Sequence, residues 1–424
     1  MTAKRLFNRN FVLLWQGQLV SQIGNQAHMI ALMFWTLQAT RSASLMGLLG
    51  MSAALPGVLL APLGGAIADR HSRKGIIVAA DLVRGIVVLS LAALLFTHGS
   101  QTQLIVAALF ATAIVSGIMG AAFAPAVGAA IPDLVPAAQV QAANSLTQLS
   151  GQSSRFVGQA VGGVLFRALG APLLFLVDGI SFVLSAGSEL FMRIPQRLPT
   201  ARVELRAVAR GYLSDTGEGL RWIWQRTGMR TFILTSTAIN FLFMPIAVLL
   251  PFYVTDVLGK GAAWYGFLLA ALSLGSIVGL ILTGSIPLAG RGRARVLGAA
   301  LFLTAVAMGG LGLVRLPVVA LALMFAAGVL AAAINVTVMT LLQLATPQEL
   351  RGRVMGLIMA LAGGATPLGM AVGGVLGDLT GKAIPAIYVG VGAAAAVIAF
   401  GAFLVPAFRQ FLASDGRSQD GEHP

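Results

Sequence analysis

The sequence has no cysteine and very little charge. Asp, Glu, Lys and Arg make up 10% of its 424 residues, with 14 acids in all, and there are four histidines. Without cysteine there is no disulfide framework, no thiolate nucleophile and no Cys-ligated metal site. Soluble domains carry about 25% charged residues. A chain this poor in charge cannot cover a soluble globule of its length, and a disordered chain would need more polar residues. Catalytic constellations are missing too. His28 is the one histidine inside an apolar run, where packing or capping is the expected role. No nucleophile–base pair, metal-ligand cluster or Gly-x-x-x-x-Gly-Lys phosphate loop is present. An enzyme and an ATP-driven pump are therefore disfavoured, and no metal or cofactor is expected.

What the chain does have is apolar length, with 57% apolar residues and 51 glycines. Crossing a bilayer takes about 20 mostly apolar residues. Twelve stretches qualify: Phe11–Gln38, Leu45–Ala68, Gly75–Thr97, Leu104–Ala124, Ser145–Gly170, Pro172–Met192, Thr231–Thr255, Trp264–Ile286, Val296–Val314, Val318–Gln343, Val354–Thr380 and Ala383–Ala407. The first follows Lys4, Arg5 and Arg9 but is too long for a signal-peptide core, so it reads as an uncleaved span. The expected fold class is an all-α membrane protein of twelve transmembrane helices.

The net charge of +14 suggests nucleic acid, but the positions of the bases argue otherwise. With the N-terminus inside, 21 Lys and Arg fall on inside segments. Only Arg41, Arg167, Lys260, Arg315 and Lys382 fall outside. Such a bias marks the cytoplasmic side, puts both termini there, and leaves no focused basic patch for nucleic acid. The longest polar stretch, Arg193 to Arg230, carries the run Glu218 to Trp224, expected as an amphipathic helix with Trp222 and Trp224 at the membrane interface. The expected organisation is a bundle over 1–194, a cytoplasmic linker over 195–229, a second bundle over 230–407 and a cytoplasmic tail over 408–424.

The two halves repeat. GQAVGGVL from Gly158 matches GMAVGGVL from Gly369 at an offset of 211, and Gly47 and Gly65 match Gly266 and Gly284 at an offset of 219. A parallel repeat implies two pseudo-symmetric six-helix bundles about an axis along the membrane normal. Gly158, Gly162 and Gly163, with Gly369, Gly373 and Gly374, form small-residue faces expected to pack the fifth, eighth, eleventh and second spans closely and to slide or bend.

Ionisable groups inside a membrane are costly and signal function. Asp81 and Arg84, three apart, share a face of the third span. Asp178 lies in the sixth span, Glu189 near its inner end, and Arg155 mid-way along the fifth. These five are the candidates for proton coupling; for Asp81 and Asp178 a purely structural role is left open. Gln148, Gln152, Arg155 and Gln159 recur at helical spacing, as do Gln18, Gln22, Asn25 and Gln26 in the first span. Asn240, Met244 and Asn335 are their counterparts in the second half. Four polar residues in register need a hydrated environment, so these positions are the candidate walls of a cavity for a small amphiphilic substrate.

Gly65-Ala-Ile-Ala-Asp69-Arg70-His-Ser72-Arg73-Lys74 resembles the loop signature of the major facilitator superfamily, Gly-x-x-x-Asp-Arg-x-Gly-Arg-Lys, with Ser72 where Gly is usual. Gly158 to Gly163 resembles that superfamily's antiporter signature, with Gln159 in place of Pro. Ile131 to Pro136 and Phe175 to Phe182 are similar to the subgroup of macrolide and enterobactin exporters. The resemblance implies a monomeric, multi-pass transporter of a bacterial inner membrane. It would export a small organic molecule, such as a drug or siderophore, by alternating access, with protons as the coupling ion. Gly65, Asp69, Arg70, Arg73 and Lys74 would then form a gating loop that latches the halves. Related exporters carry an acid where this chain has Asn25 and often an Arg where it has Ala113. That departure keeps an alternative open, a lysophospholipid transporter or flippase without proton coupling.

Overall fold

Within a bilayer each backbone N–H and C=O must be satisfied inside its own segment, so long apolar runs become long helices. The computed structural model describes residues 6–196, 217–285, 289–348 and 350–414. Lys4, Arg5, most of the linker and the tail beyond Ser414 lie outside the described residues. In chain order the helices are α1 (Arg9–Thr40), α2 (Ala43–Arg70), α3 (Arg73–His98), α4 (Thr102–Leu134), α5 (Val140–Leu190), α6 (217–224), α7 (Thr227–Phe252), α8 (Ala262–Ser285), α9 (Gly290–Gly310), α10 (Pro317–Ala345), α11 (Arg351–Leu379), α12 (Ile384–Leu404) and α13 (Pro406–Ala413). No strand occurs among the described residues.

Local chemistry sets the ends. The Asn8 side chain accepts from the Asn10 and Phe11 amides and caps α1, while its Nδ2 donates to the Leu134 carbonyl at 2.8 Å. Ser42 caps α2 and Ser72 caps α3, each accepting an amide three residues on at 3.2 Å. Ser72 thus has a local task at the position where the resembled signature has Gly. Gly170 breaks α5 into two arms, with φ 75°. Gly381, at the repeat offset, has φ 59° and ends the turn after α11. Both positions lie in the left-handed region that glycine adopts without a Cβ penalty, so the repeat extends to backbone conformation.

Among the described residues, ten helical stretches are long and apolar enough to cross a membrane. The sequence count of twelve differs for two reasons. The arms of α5 run on as one stretch through Gly170, and the polar residues of the 32-residue α1 dilute its apolar run. Buried residues make up only 28–56% of each apolar window, so much apolar surface faces outward, as lipid requires.

The helices form two compact units. In the first, α1 packs along α5, α2 on α4, and α3 on both α4 and α5. Phe11, Leu14, Ile77, Leu134 and Met192 close one end of its core. The start of α8, Lys260–Ala270, belongs to this unit. Gly266 and Gly163 pack there: neither has a side chain, and a Cβ on either would run into the opposing backbone. In the second unit α11 packs on α7, α12 on α7 and α9, α10 on α9, and α13 on α7 and α9. α6 joins that core through Ile223 and Trp222, which is only 9% exposed, whereas Trp224 is 48% exposed. The interfacial position expected for Trp222 is therefore corrected. Its ring packs with the core, and the Arg226 guanidinium lies 4.0 Å from it.

Candidate coupling site and cavity in the first unit

Three carboxyl groups are buried in the interior of the first unit. Asp81 on α3 and Asp178 and Glu189 on the second arm of α5 are all fully buried. The α5 arm presents Asp178, Ser181, Ser185 and Glu189 at helical spacing, and all four are buried. Glycines let the neighbouring helices approach this stripe. A Cβ on Gly24 would stand 2.8 Å from Asp178 Oδ1, and one on Gly17 2.9 Å from Ser185 Oγ. On α3, a Cβ on Gly85 would stand 2.9 Å from a Val183 methyl.

Partners are unevenly shared. His28 Nδ1 stands 2.8 Å from Asp178 Oδ2, and the His28 ring meets Phe175 edge-on at 4.7 Å. Arg84 lies 3.7 Å from Asp81 Oδ1, with Phe123 and Phe182 at 4.7 and 5.8 Å from its guanidinium. A Cβ on Gly120 would stand 3.0 Å from the Arg84 guanidinium, so the missing side chain makes room for it. Glu189 Oε1 accepts from Gln18 Nε2 at 3.0 Å and from Ser185 Oγ at 3.4 Å. The Asp81 charge is close enough to interact with those of Asp178 and Glu189. Among the described residues Arg84 thus stands against Asp81 and His28 against Asp178, while Glu189 has only uncharged partners. Fully ionised, the set would hold excess negative charge in a dry site, which is expensive.

This cluster borders a cavity of about 420 Å³. Asp178, His28 and Arg84 reach its wall, with Gln18, Gln22 and Asn25 from α1, Thr112 and Ser116 from α4, and Met29, Phe123 and Phe182. The volume and mixed lining suit a small organic ligand. Other expected wall residues lie elsewhere. Gln159 donates to Gln26 at 3.2 Å, a seam between α5 and α1. Gln148 and Arg155 are exposed, Gln152 is half-buried, and none of the three lines this cavity. In the second unit Asn240 and Asn335 are exposed and Met244 is half-buried; Asn240 Nδ2 donates to the Ser236 carbonyl at 2.9 Å.

The small-residue faces pack one helix on another inside each unit. A Cβ on Gly158 would meet Gln26 Cβ at 2.6 Å, and one on Gly162 the Ala27 Cα at 3.1 Å, so α5 crosses α1 closely. On α11, Gly369 faces Met244 and Phe241 of α7 at 2.8 Å, and Gly373 meets Pro245 at 2.5 Å. Gly374 is buried. In the loop after α2, Arg73 pairs with Asp133 and donates to the Ala129 carbonyl, while Lys74 donates to the Leu190 carbonyl at 2.6 Å. Both bases thus tie α3 to helix ends of its own unit. Asp69 is exposed and makes no ion pair among the described residues; Gly65 has open space beside it, and Arg70 is half-buried.

Residues 3–420 match the family model MFS_3, transmembrane secretion effector. The chain belongs to this family of major facilitator transporters. Among curated relatives it is 26% identical to an uncharacterized MFS-type transporter, YfiS of Bacillus subtilis, over 89% of this chain and 88% of that one. It is 26% identical to the multidrug efflux pump Tap of Mycobacterium tuberculosis over 86% of each chain. Macrolide efflux protein A of Streptococcus pyogenes is 25% identical over 65% of this chain and 66% of that one. Among solved structures, a bacterial homolog of the lysosomal transporter Spinster superposes with TM-score 0.69 at 16% identity, covering 96% of each chain. A D-xylose–proton symporter does so with TM-score 0.70 at 15% identity, over 97% of this chain and 99% of that one. At these identities the structural likeness concerns the fold.

Within this member of the family, Asn25 and Ala113 both line the cavity, yet carry no charge. The acid and base there come instead from Asp178 and Arg84. His28 is the site residue that sequence reasoning assigned to packing. Its one available signal was position: it follows the polar run of the first span.

Proposed function

We propose that the protein is a secondary active transporter of a bacterial plasma membrane that exports small amphiphilic organic molecules by proton antiport. In this reading the α5 arms cross separately and α1 is a span, giving twelve crossings with both termini in the cytoplasm. The observation that carries the proposal is the shared position of Asp178, His28 and Arg84, at once members of a buried charge cluster and of a cavity wall. A proton taken up there changes the charge the substrate meets. Protonated, the Asp178 carboxyl presents no negative charge to the cavity; once the proton leaves it presents a carboxylate, with His28 Nδ1 2.8 Å away. Substrate and proton then compete for one acceptor, and alternating access turns competition into exchange. Asp81 and Glu189 extend the set of proton acceptors beyond the wall, with Arg84, Ser185 and Gln18 beside them. Gln22 and Asn25 supply uncharged polar contacts.

The named relatives Tap and macrolide efflux protein A are drug pumps, which supports efflux of drug-like molecules over lipid handling. The Gly65 to Lys74 loop is assigned to gating, with Asp69 as the group left available for a partner outside its own helix ends. The deciding experiment uses the purified full chain in proteoliposomes, with a panel of lipophilic dyes and antibiotics under an imposed pH gradient. Flux that collapses with the gradient is expected. Flux unaffected by dissipating the gradient across the whole panel would remove antiport.

A further inference from the structure

A second charged recess lies in the second unit, where α9 begins and α13 folds back after α12. It encloses about 310 Å³ and is lined by Arg291, Arg295 and Arg409, with Gln410, Phe403 and Pro406 among its other walls. No acid lines it. Arg291 and Arg295 are four residues apart on α9, so their like charges lie on neighbouring turns, an unfavourable arrangement unless an anion sits between them. All three guanidinium groups are exposed, and none forms an ion pair among the described residues.

The recess is built rather than incidental. Pro406 opens α13 directly after α12 ends at Leu404. Phe408 and Leu412 anchor α13 in the core, which leaves Arg409 and Gln410 outward. Arg293, between the two recess arginines, points the other way: its Nε donates to the Leu412 carbonyl at 3.0 Å and its NH2 to the Ser414 carbonyl. One arginine thus fixes the C-terminal end of α13, and Arg291 and Arg295 on either side of it have no ion-pair partner among the described residues.

α9 and α12, which both contribute walls to the recess, also carry outward apolar side chains. Val397, Phe400 and Leu404 recur along one face of α12 and are 70%, 58% and 60% exposed. On α9, Val296, Leu303 and Val306 are exposed as well. A cluster of guanidinium groups above an outward apolar helix face fits a ligand with an anionic head and hydrocarbon tails. Arginine matches phosphate oxygens bidentately, and basic pockets between membrane helices on the cytoplasmic side bind lipid headgroups.

We propose that Arg291, Arg295 and Arg409 form a binding site for the phosphodiester headgroup of an anionic phospholipid of the inner leaflet. The acyl chains lie along the exposed faces of α12 and α9. The site lies apart from the cavity of the first unit and does not depend on the transport reading. Its ligand chemistry, a phosphate ester, could also be met by a soluble phosphate; the apolar face selects the lipid.

The test uses the full-length protein, delipidated in detergent, and reads retained lipid by native mass spectrometry and the thermal midpoint. Dioleoyl phosphatidylglycerol, dioleoyl phosphatidylcholine and inorganic phosphate are added separately. Phosphatidylglycerol is expected to be retained at least tenfold better than phosphatidylcholine and to raise the midpoint, with no rise from millimolar phosphate. The triple variant R291Q/R295Q/R409Q is expected to lose the preference. A control variant, R221Q/R351Q, removes bases outside the recess and is expected to keep it. Should the triple variant fold poorly, R291K/R295K/R409K keeps the charge and is expected to retain a reduced preference. Equal retention of the two lipids by the wild-type protein, an equal midpoint rise with inorganic phosphate, or an undiminished preference in the triple variant would each overturn the proposal.

Discussion

His28 Nδ1 approaches Asp178 Oδ2 to 2.8 Å, joining α1 to the second arm of α5 across 150 residues of chain. Asp178 has no exposure at all and His28 only 7%. Removing one member of such a pair strands the other, at a cost of about 3–5 kcal/mol. His28→Ala is therefore expected to lower the thermal midpoint in detergent sharply. His28→Ala combined with Asp178→Asn is expected to recover much of the loss, since no buried charge is then stranded. A double variant no more stable than His28→Ala alone would show that the contact carries little coupling energy.

The same pair is predicted to carry coupling. Asp178→Asn keeps the shape of the cavity wall but holds no exchangeable carboxyl proton. Substrate flux driven by an imposed pH gradient is expected to fall at least tenfold, while substrate binding to the purified variant persists. Arg155→Gln, outside the cavity, is expected to leave the gradient dependence in place. The check is flux in proteoliposomes with and without the gradient. Full gradient-driven flux in Asp178→Asn would move the coupling role to Asp81 or Glu189.

Gly24 and Gly158 are predicted to be sites where any side chain is refused. A Cβ on Gly24 would crowd Ser181 Oγ at 2.5 Å, and one on Gly158 would crowd Gln26 Cβ at 2.6 Å. Forcing extra atoms into a packed interface costs about 1–3 kcal/mol. Gly24→Val and Gly158→Val should each lower the midpoint, whereas Gly65→Ala, with open space around it, should leave it unchanged.

Arg73 and Asp69 are predicted to separate stability from gating. Arg73→Ala removes the pairing with Asp133 and the bond to the Ala129 carbonyl, so the midpoint falls. Asp69→Asn touches an exposed group and should change stability by less than about 0.5 kcal/mol. If the loop gates, the Asp69 variant nevertheless slows transport. Wild-type transport rates in Asp69→Asn would leave the loop a purely local structure.

Composition and periodicity carried a large share of this protein's description on their own. Scarce charge and long apolar runs dictate helices, because no other open backbone arrangement satisfies itself in lipid. Asp81, Arg84, Asp178 and Glu189 are legible as a candidate site because an ionisable side chain in an apolar run is anomalous wherever it points. The repeat between Gly158 and Gly369 is equally legible, but not that these faces would pack α5 on α1 and α11 on α7. Partnership was not legible. A span apolar nearly all round gives no indication of how far it is rotated about its axis, so the sequence could not tell that Arg155 stays exposed while Arg84 and His28 lie beside Asp81 and Asp178. Nor could it show that Trp222 faces the core and Trp224 does not. Those facts depend on which helix lies beside which and at what rotation. Close approach through glycines and the pairing of buried charges decided them, and both are properties of the packed tertiary structure alone.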